Sequence, residues 1–382
     1  MYILMISRGV PSAKDPQWGC FEQDQAEALQ RNGHKVVVVS VDSRFRWHLR
    51  KIGITHRQKN GINYYNSFWL PGKVVFRLCG MKIGLLLRKM QLDRMYKRIV
   101  RKYGKPDVIY GQFFFNTYLG VFLKNKYQIP LVGIEHAARF NHDKLDSYTW
   151  TLASYAYNYA DAVIAVSETL KDRLQYHFKR KAYVVHNLVS STFGNINMKT
   201  VDYQNFQFVA TGSLIYRKGF DLLIDAFAAS GLAAKNIKIV IIGDGEERNN
   251  LQNQISSLQL DNNIVLVGKK TKPEIVEILC ESHAFILPSR GENFSVAVLE
   301  ALSIGLPVIA TLCGGIRECI NEKNGILVPV DDSRALCDAL KKMYYNYSQY
   351  ETDYIVTDYQ TRFSSSAIAK QLTDIFESVI SK

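Results

Sequence analysis

Ala284-Phe-Ile-Leu-Pro-Ser-Arg-Gly-Glu-Asn-Phe-Ser-Val-Ala-Val-Leu-Glu300 is the stretch that decides the fold. Ala284–Leu287 is a short unbroken apolar run, the pattern of a strand buried on both faces. Ser289–Gly291 is turn chemistry. The apolar periodicity of Ser295–Leu302 predicts a helix that starts at about Phe294–Ser295. Another strand, Pro307–Ala310, follows, so the whole reads as a βαβ unit of a parallel sheet. The turn also carries chemistry. Glu292 and Glu300 have seven residues between them. The first sits in the turn, where it can face a ligand, and the second on the helix, about two turns in. The helix start offers unpaired backbone N–H groups and the positive end of a dipole, which favour a phosphate. Carboxylates for hydroxyl groups beside amides for phosphate suit a nucleotide-sugar.

Outward from this unit, strand and helix patterns alternate. Tyr2–Ser7 reads as strand, Phe21–Asn32 as an amphipathic helix ending at Gly33, and Val36–Val41 as strand. Asp107–Tyr110, Leu131–Ile134, Ala162–Val166 and Ala182–Val185 continue the series. Ser190–Asn205 is polar, weak in periodicity, and reads as a linker. A second series follows. Its strands are Phe206–Gly212, Ile237–Ile242, Ile264–Val267, Ala284–Leu287, Pro307–Ala310 and Ile326–Val328, with helices Gly219–Ala229, Glu246–Leu258, Lys272–Glu281 and Ser295–Ile304 among them. The expected architecture is α/β: two tandem Rossmann-like doubly wound domains with an interdomain cleft. The expected boundaries are 1–190, a linker at 191–205, a second domain at 206–360, and a C-terminal helix at 361–382 that can return to the first domain.

The bulk numbers agree with two globular domains: 382 residues, 47% hydrophobic and 22% charged. The opening Tyr2–Ser7 is too short for the core of a signal peptide and lacks a basic flank. No apolar run approaches the ~20 residues of a membrane span. Six cysteines without a CxxC pair suggest reduced thiols and a cytoplasmic setting. The net charge of +13 is local: residues 44–105 hold seventeen Lys or Arg and one acid, Asp93, which leaves −3 for the rest.

Two further features gather around the opening turn. Cys313-Gly-Gly-Ile-Arg-Glu318 places paired glycines after a strand, where backbone can approach a ligand closely. Arg217 and Lys218 follow a strand end and Gly212, where two cations would neutralise a diphosphate and stabilise it as it leaves. With these residues in place, the sequence resembles the family 4 (group 1) glycosyltransferases of the two-Rossmann GT-B architecture. The resemblance covers nearly the whole C-terminal half. It runs in order through Ala210-Thr-Gly-Ser-Leu-Ile-Tyr-Arg-Lys-Gly219, Ile241-Ile-Gly-Asp-Gly-Glu246, Glu292–Glu300, Gly314-Gly-Ile-Arg-Glu318 and Asn324-Gly-Ile-Leu-Val328. It implies that Arg217 and Lys218 bind the diphosphate, that Glu292 contacts the donor sugar, and that Glu300 holds the ribose. Backbone N–H groups near Asn293, Phe294 and Ser295 would meet sugar and phosphate. Gly212 and Gly243 would bring backbone close to the donor; Gly243-Asp-Gly245 lacks the third glycine of a dinucleotide fingerprint.

In the N-terminal half the resemblance is fainter. Asp15-Pro-Gln-Trp-Gly-Cys-Phe21 is similar to the family's glycine loop, with Gly19 standing where some members have two glycines. His136, after Gly133-Ile-Glu135, matches the family's histidine against the donor sugar. Ser167 reads as the cap of the next helix. Leu188 replaces the glycine usual after Asn187. The resemblance implies a retaining, metal-independent hexosyl transfer from a nucleoside diphosphate sugar (UDP or GDP) to a glycan or lipid-linked glycan, with no cofactor. Metal ligation is unsupported because there is no Asp-x-Asp motif or paired histidine spacing, and no GxSxG elbow suggests a hydrolase. A sugar-nucleotide 2-epimerase on the same fold, or a non-catalytic sugar-nucleotide binder, stays open. Residues 73–105 mix apolar and basic side chains in a pattern that suits an anionic membrane surface, and the protein would then be peripheral on the inner face of the membrane. A solvated helix over an ordinary core is the other reading. Nucleic acid has no recognition module here.

Overall fold

The structure, a computed structural model, describes residues 1–11, 18–42, 51–69, 72–193 and 205–381, with the side chains of residues 72–79 and of Ser191 outside the description. Residues 15–17 of the glycine loop, 44–50 of the basic segment and 194–204 of the polar linker therefore lie outside the described residues. The chain divides into two compact units, Met1–His186 with Ser365–Lys382, and Asn187–Ser364.

In the first unit the strands are β1 (Tyr2–Ser7), β2 (Lys35–Val41), β3 (Gly53–Lys59), β4 (Ile62–Phe68), β5 (Val108–Gln112), β6 (Leu131–Glu135), β7 (Ala162–Ala165) and β8 (Tyr183–Val184). They lie in the order β3-β4-β2-β1-β5-β6-β7-β8, parallel except for β3 against β4. β1, β5, β6 and β7 are buried at every residue, which is why they read as unbroken apolar runs. The β3–β4 hairpin is absent from the series of strands expected from sequence. β3 is polar and largely exposed, so it offers no apolar run. Its signal is the turn Asn60-Gly61, with φ of 50° and 76°, the pair of positive values that a tight hairpin turn requires.

The basic segment folds as helix Gly72–Tyr103, interrupted at Gly80 (φ 76°, ψ 165°). The basic amphipathic pattern over 73–105 thus falls on two helical pieces that meet at Gly80. Ser167 caps its helix as its sequence position suggests: its Oγ accepts from Leu170 N at 3.1 Å. The helix Ser365–Ile380 packs on the first unit. His34 Nε2 lies 2.7 Å from Thr373 Oγ1, and the Phe376 ring lies edge-on to Tyr110.

The second unit holds β9 (Gln207–Thr211), β10 (Lys238–Ile242), β11 (Ile264–Gly268), β12 (Ala284–Leu287), β13 (Val308–Thr311) and β14 (Gly325–Val328). All are parallel, in the order β11-β10-β9-β12-β13-β14. The chain leaves β9 toward one edge and resumes at β12 toward the other. The neighbours β9 and β12 therefore flank the switch point, where loops from their carboxyl ends diverge and leave a ligand crevice. The first sheet has the same feature between β1 and β5.

Candidate functional site

At the second unit's switch point, β9 leads through Gly212 into the short turn Tyr216–Lys218, and β12 leads into Ser289–Ser295. The two loops meet. Lys218 Nζ donates to Glu292 Oε1 at 2.5 Å, Ser289 Oγ donates to the same oxygen at 2.8 Å, and Arg217 Nη1 stands 3.7 Å from Oε2. Arg217 also donates to the Gly291 carbonyl. Lys218 runs its stem over Gly212, where a β-carbon would stand 3.4 Å from Cδ. Glu292 is buried, while Arg217 is exposed along nearly half its side chain. An ammonium has three donors, so one bond to Glu292 leaves Lys218 capacity for phosphate oxygens.

The loops are pinned by a cation that the sequence reading passed over. Arg290 makes a two-pronged pair with Asp221 (Nη1–Oδ1 2.8 Å, Nη2–Oδ2 2.6 Å) and a third bond to Asp331 at 2.7 Å. Its guanidinium lies 3.9 Å from the Tyr216 ring and donates to the Tyr216 carbonyl at 2.7 Å. Hydrogen bonding to Asp221, then to Asp331, raises its pKa above the ordinary arginine value. Arg290 N also donates to the Arg217 carbonyl at 2.8 Å. One residue thereby fixes the turn that carries Arg217 and Lys218. Backbone completes the joint at two glycines. Gly219 (φ 67°) abuts the Pro288 carbonyl and Gly314 (φ 55°) the Glu292 carbonyl, and a β-carbon at either would collide. Gly315 N donates to Asn293 O at 2.7 Å.

Helix Val296–Ile304 starts after Ser295, so the amides of the first turn face the Glu292 loop. Gly243 closes the opposite side, its N–H on the Gly268 carbonyl and its Cα against Gly212. Asn293 and Ser295 are buried in the turn. Phe294 has a structural part as well: its carbonyl accepts from Asn187 Nδ2 at 3.1 Å and its ring packs 5.9 Å from Phe363. Glu300 stands farther along the helix, partly exposed.

The first unit's switch point has different chemistry. Gly19 (φ 82°) opens the helix Cys20–Arg31 against the Gly9 carbonyl. Arg8 binds the buried Glu22 through Nε at 2.7 Å and Nη2 at 3.2 Å, and lies 3.9 Å over the Phe113 ring. His136 follows β6; its Nε2 lies 3.0 Å from Gln112 Oε1 and its ring 4.8 Å from Phe113. Beneath it Glu135 is fully buried. It accepts from the backbone of Phe114 (2.8 Å), His136 (2.8 Å) and Ala137 (2.6 Å), and from Tyr157 Oη (2.5 Å). Burial pushes this carboxyl up, while the four donors pull against the shift. Phe113 itself takes φ 65°, a strained value for an aromatic residue, at the start of its helix.

Each unit matches a family model: residues 23–193 that of Glycosyltransferase Family 4, and residues 205–346 that of Glycosyl transferases group 1. The chain belongs to the family 4, group 1 glycosyltransferases. An uncharacterized glycosyltransferase of Methanocaldococcus jannaschii is 29% identical over 318 residues, 75% of this chain and 76% of that protein. The amylovoran biosynthesis glycosyltransferase AmsK of Erwinia amylovora is 29% identical over 196 residues, 48% of this chain and 47% of its own length. Among solved structures, HepE of Anabaena in complex with UDP and glucose superposes with a TM-score of 0.71 at 19% identity, covering 98% of this chain and 99% of that one. That likeness shows the fold, the paired Rossmann-like sheets of GT-B.

As a glycosyltransferase, the chain brings Gly212, Arg217, Lys218, Gly243, Glu292, Asn293, Phe294 and Ser295 to one switch point, with Glu300 on the helix that leaves it. Gly19 and His136 belong to the other unit. Sequence reasoning missed Arg290, Ser289, Arg8, Glu22 and Glu135. Arg290 and Ser289 lie inside the quoted motif, yet their role depends on Asp221, Asp331 and Glu292 as partners. Glu135 stands immediately before His136, and a carboxylate closing an apolar strand was its only signal.

Proposed function

We propose that this glycosyltransferase moves a sugar from a nucleoside diphosphate sugar, with UDP or GDP as the leaving group, to a hydroxyl of a glycan or lipid-linked glycan. The configuration is retained and no metal takes part. The observation that carries this reading is the joining of Arg217, Lys218 and Glu292 at the switch point, beside the amides of a nine-residue helix. Glu292 hydrogen-bonds donor-sugar hydroxyls and Glu300 the ribose. Arg217, Lys218 and the amides take up the charge that grows on the diphosphate as the glycosidic bond breaks. The leaving phosphate oxygen then accepts the proton of the incoming hydroxyl on the same face, so no protein base is required. His136 is assigned to the transferred sugar. The kinship with a polysaccharide-biosynthesis enzyme supports cell-surface polysaccharide as the product class.

Calorimetry with UDP and GDP is the first test. Arg217→Ala with Lys218→Ala should weaken nucleotide binding at least about a hundredfold, since each charge-assisted hydrogen bond removed costs about 1.5–3 kcal/mol. Unchanged affinity would remove both cations from the donor site. Donor consumed without any acceptor, and converted to an epimer, would replace transfer by epimerisation.

A further inference from the structure

The helix of the basic segment turns a second apolar face outward. Its inner face is core, with Leu85, Leu92, Met95, Tyr96 and Ile99 buried. Opposite them, Ile83, Leu86, Leu87 and Met90 are exposed at 49%, 56%, 38% and 45%. At 3.6 residues per turn these four share one strip that faces away from the sheet. An ordinary surface helix carries charge there. This one does so only farther along the same face, where Arg94, Lys97, Arg98 and Arg101 are exposed. Trp69, also exposed, lies 5.2 Å from the Arg94 guanidinium. Asp93, the one acid of residues 44–105, is tied to Lys97 at 3.1 Å and Lys126 at 3.0 Å. No helix among the described residues is long and apolar enough to cross a membrane.

We propose that this face, apolar over 83–90 and cationic over 94–101, lies on an anionic lipid surface. The leucines would enter the boundary between headgroups and acyl chains, and the cations would meet lipid phosphates. Charge selects this occupant: a second copy would set the same cations against these, which costs free energy. The place of the strip ties docking to chemistry. The helix follows β4, so its early turns lie toward the strand carboxyl ends, where such a sheet presents its ligand. Arg88 confirms the level by stacking 4.7 Å from the ring of Phe115, in the first turn of the helix that follows β5. A lipid-linked acceptor held in that surface would therefore enter the first unit from the membrane side; this last step rests on the glycosyl-transfer reading, whereas docking itself does not.

Flotation of the full chain with phosphatidylcholine vesicles, with and without phosphatidylglycerol, tests the proposal. Binding should need the anionic lipid and should be lost at high salt. Leu86→Ser with Leu87→Ser should weaken it about tenfold or more. Arg94→Glu should weaken it at least about fivefold, the share of one surface cation. UDP and GDP binding by the same variants should stay at the wild-type value, which also shows that they fold. Equal partition to neutral and anionic vesicles, or none to either, would overturn the proposal. So would a dimer that Leu86→Ser with Leu87→Ser dissolves, which would give the face to a second copy. Wild-type chain that floats with anionic vesicles yet binds neither nucleotide would leave docking standing and remove the donor reading instead.

Discussion

The two switch points occupy the same place in two similar sheets and hold opposite chemistry. In the second unit, Arg217 and Lys218 are gathered beside a helix start around a single carboxylate, Glu292. Cations and amides outnumber the anion, and the surplus suits a diphosphate. At the first unit's switch point, the described charges Arg8, Glu22 and Glu135 are already matched. Arg8 is taken by Glu22 in two bonds, Glu135 by four donors, and the remaining elements are rings and an amide: Phe113, His136 and Gln112. Such a surface suits neutral hydroxyls and sugar faces. A Rossmann-like sheet thus fixes where a ligand lies, and the loop residues at the strand ends decide what it is.

The comparison can be broken at several points. The largest effect is expected at Glu292→Gln, which keeps the shape of the turn but removes the charge from the Lys218 pair. Transfer should fall by about two to three orders of magnitude, the scale of removing one hydrogen bond made to the transition state, while UDP binding survives. Near-normal turnover would take Glu292 out of the reacting site.

Glu135→Gln probes the other unit. An amide cannot accept from all four donors, so at least one buried N–H or O–H loses its partner at a cost of about 2 kcal/mol. Urea unfolding should show that loss, with nucleotide affinity unaltered. A variant of wild-type stability would mean that the carboxylate is not what holds the β6 end together.

Smaller still is Arg290→Leu. The turn that carries Arg217 and Lys218 would lose its clamp, and nucleotide affinity should drop about tenfold, in keeping with displaced charge-assisted hydrogen bonds. Arg290→Lys should not restore it, because a point charge cannot bridge Asp221 and Asp331 and also stack on Tyr216. Full rescue by lysine would reduce Arg290 to a simple charge.

What was legible along the chain was local. The strands of the second unit read as apolar runs because they lie inside a parallel sheet covered by helices. The helix at Ser295 announced itself by periodicity, and Glu292 by its place in the turn between strand and helix. β3 escaped because a polar edge strand has no such run, although Asn60-Gly61 marked its turn. The site residues of the second unit followed from family likeness, which supplied their company without their geometry.

The sequence by itself therefore determined the alternation of strands and helices, the turn that bears Glu292 and the uneven placing of charge. These are written in patterns only a few residues long. Tertiary structure alone decided that Lys218 meets Glu292 across 74 residues of chain, since that pairing exists only because β9 and β12 become neighbours. It also decided that Arg290 clamps rather than binds. And it decided that Leu86 and Leu87 face outward while Leu85 and Leu92 face the core, because which side of a helix is buried depends on what packs against it.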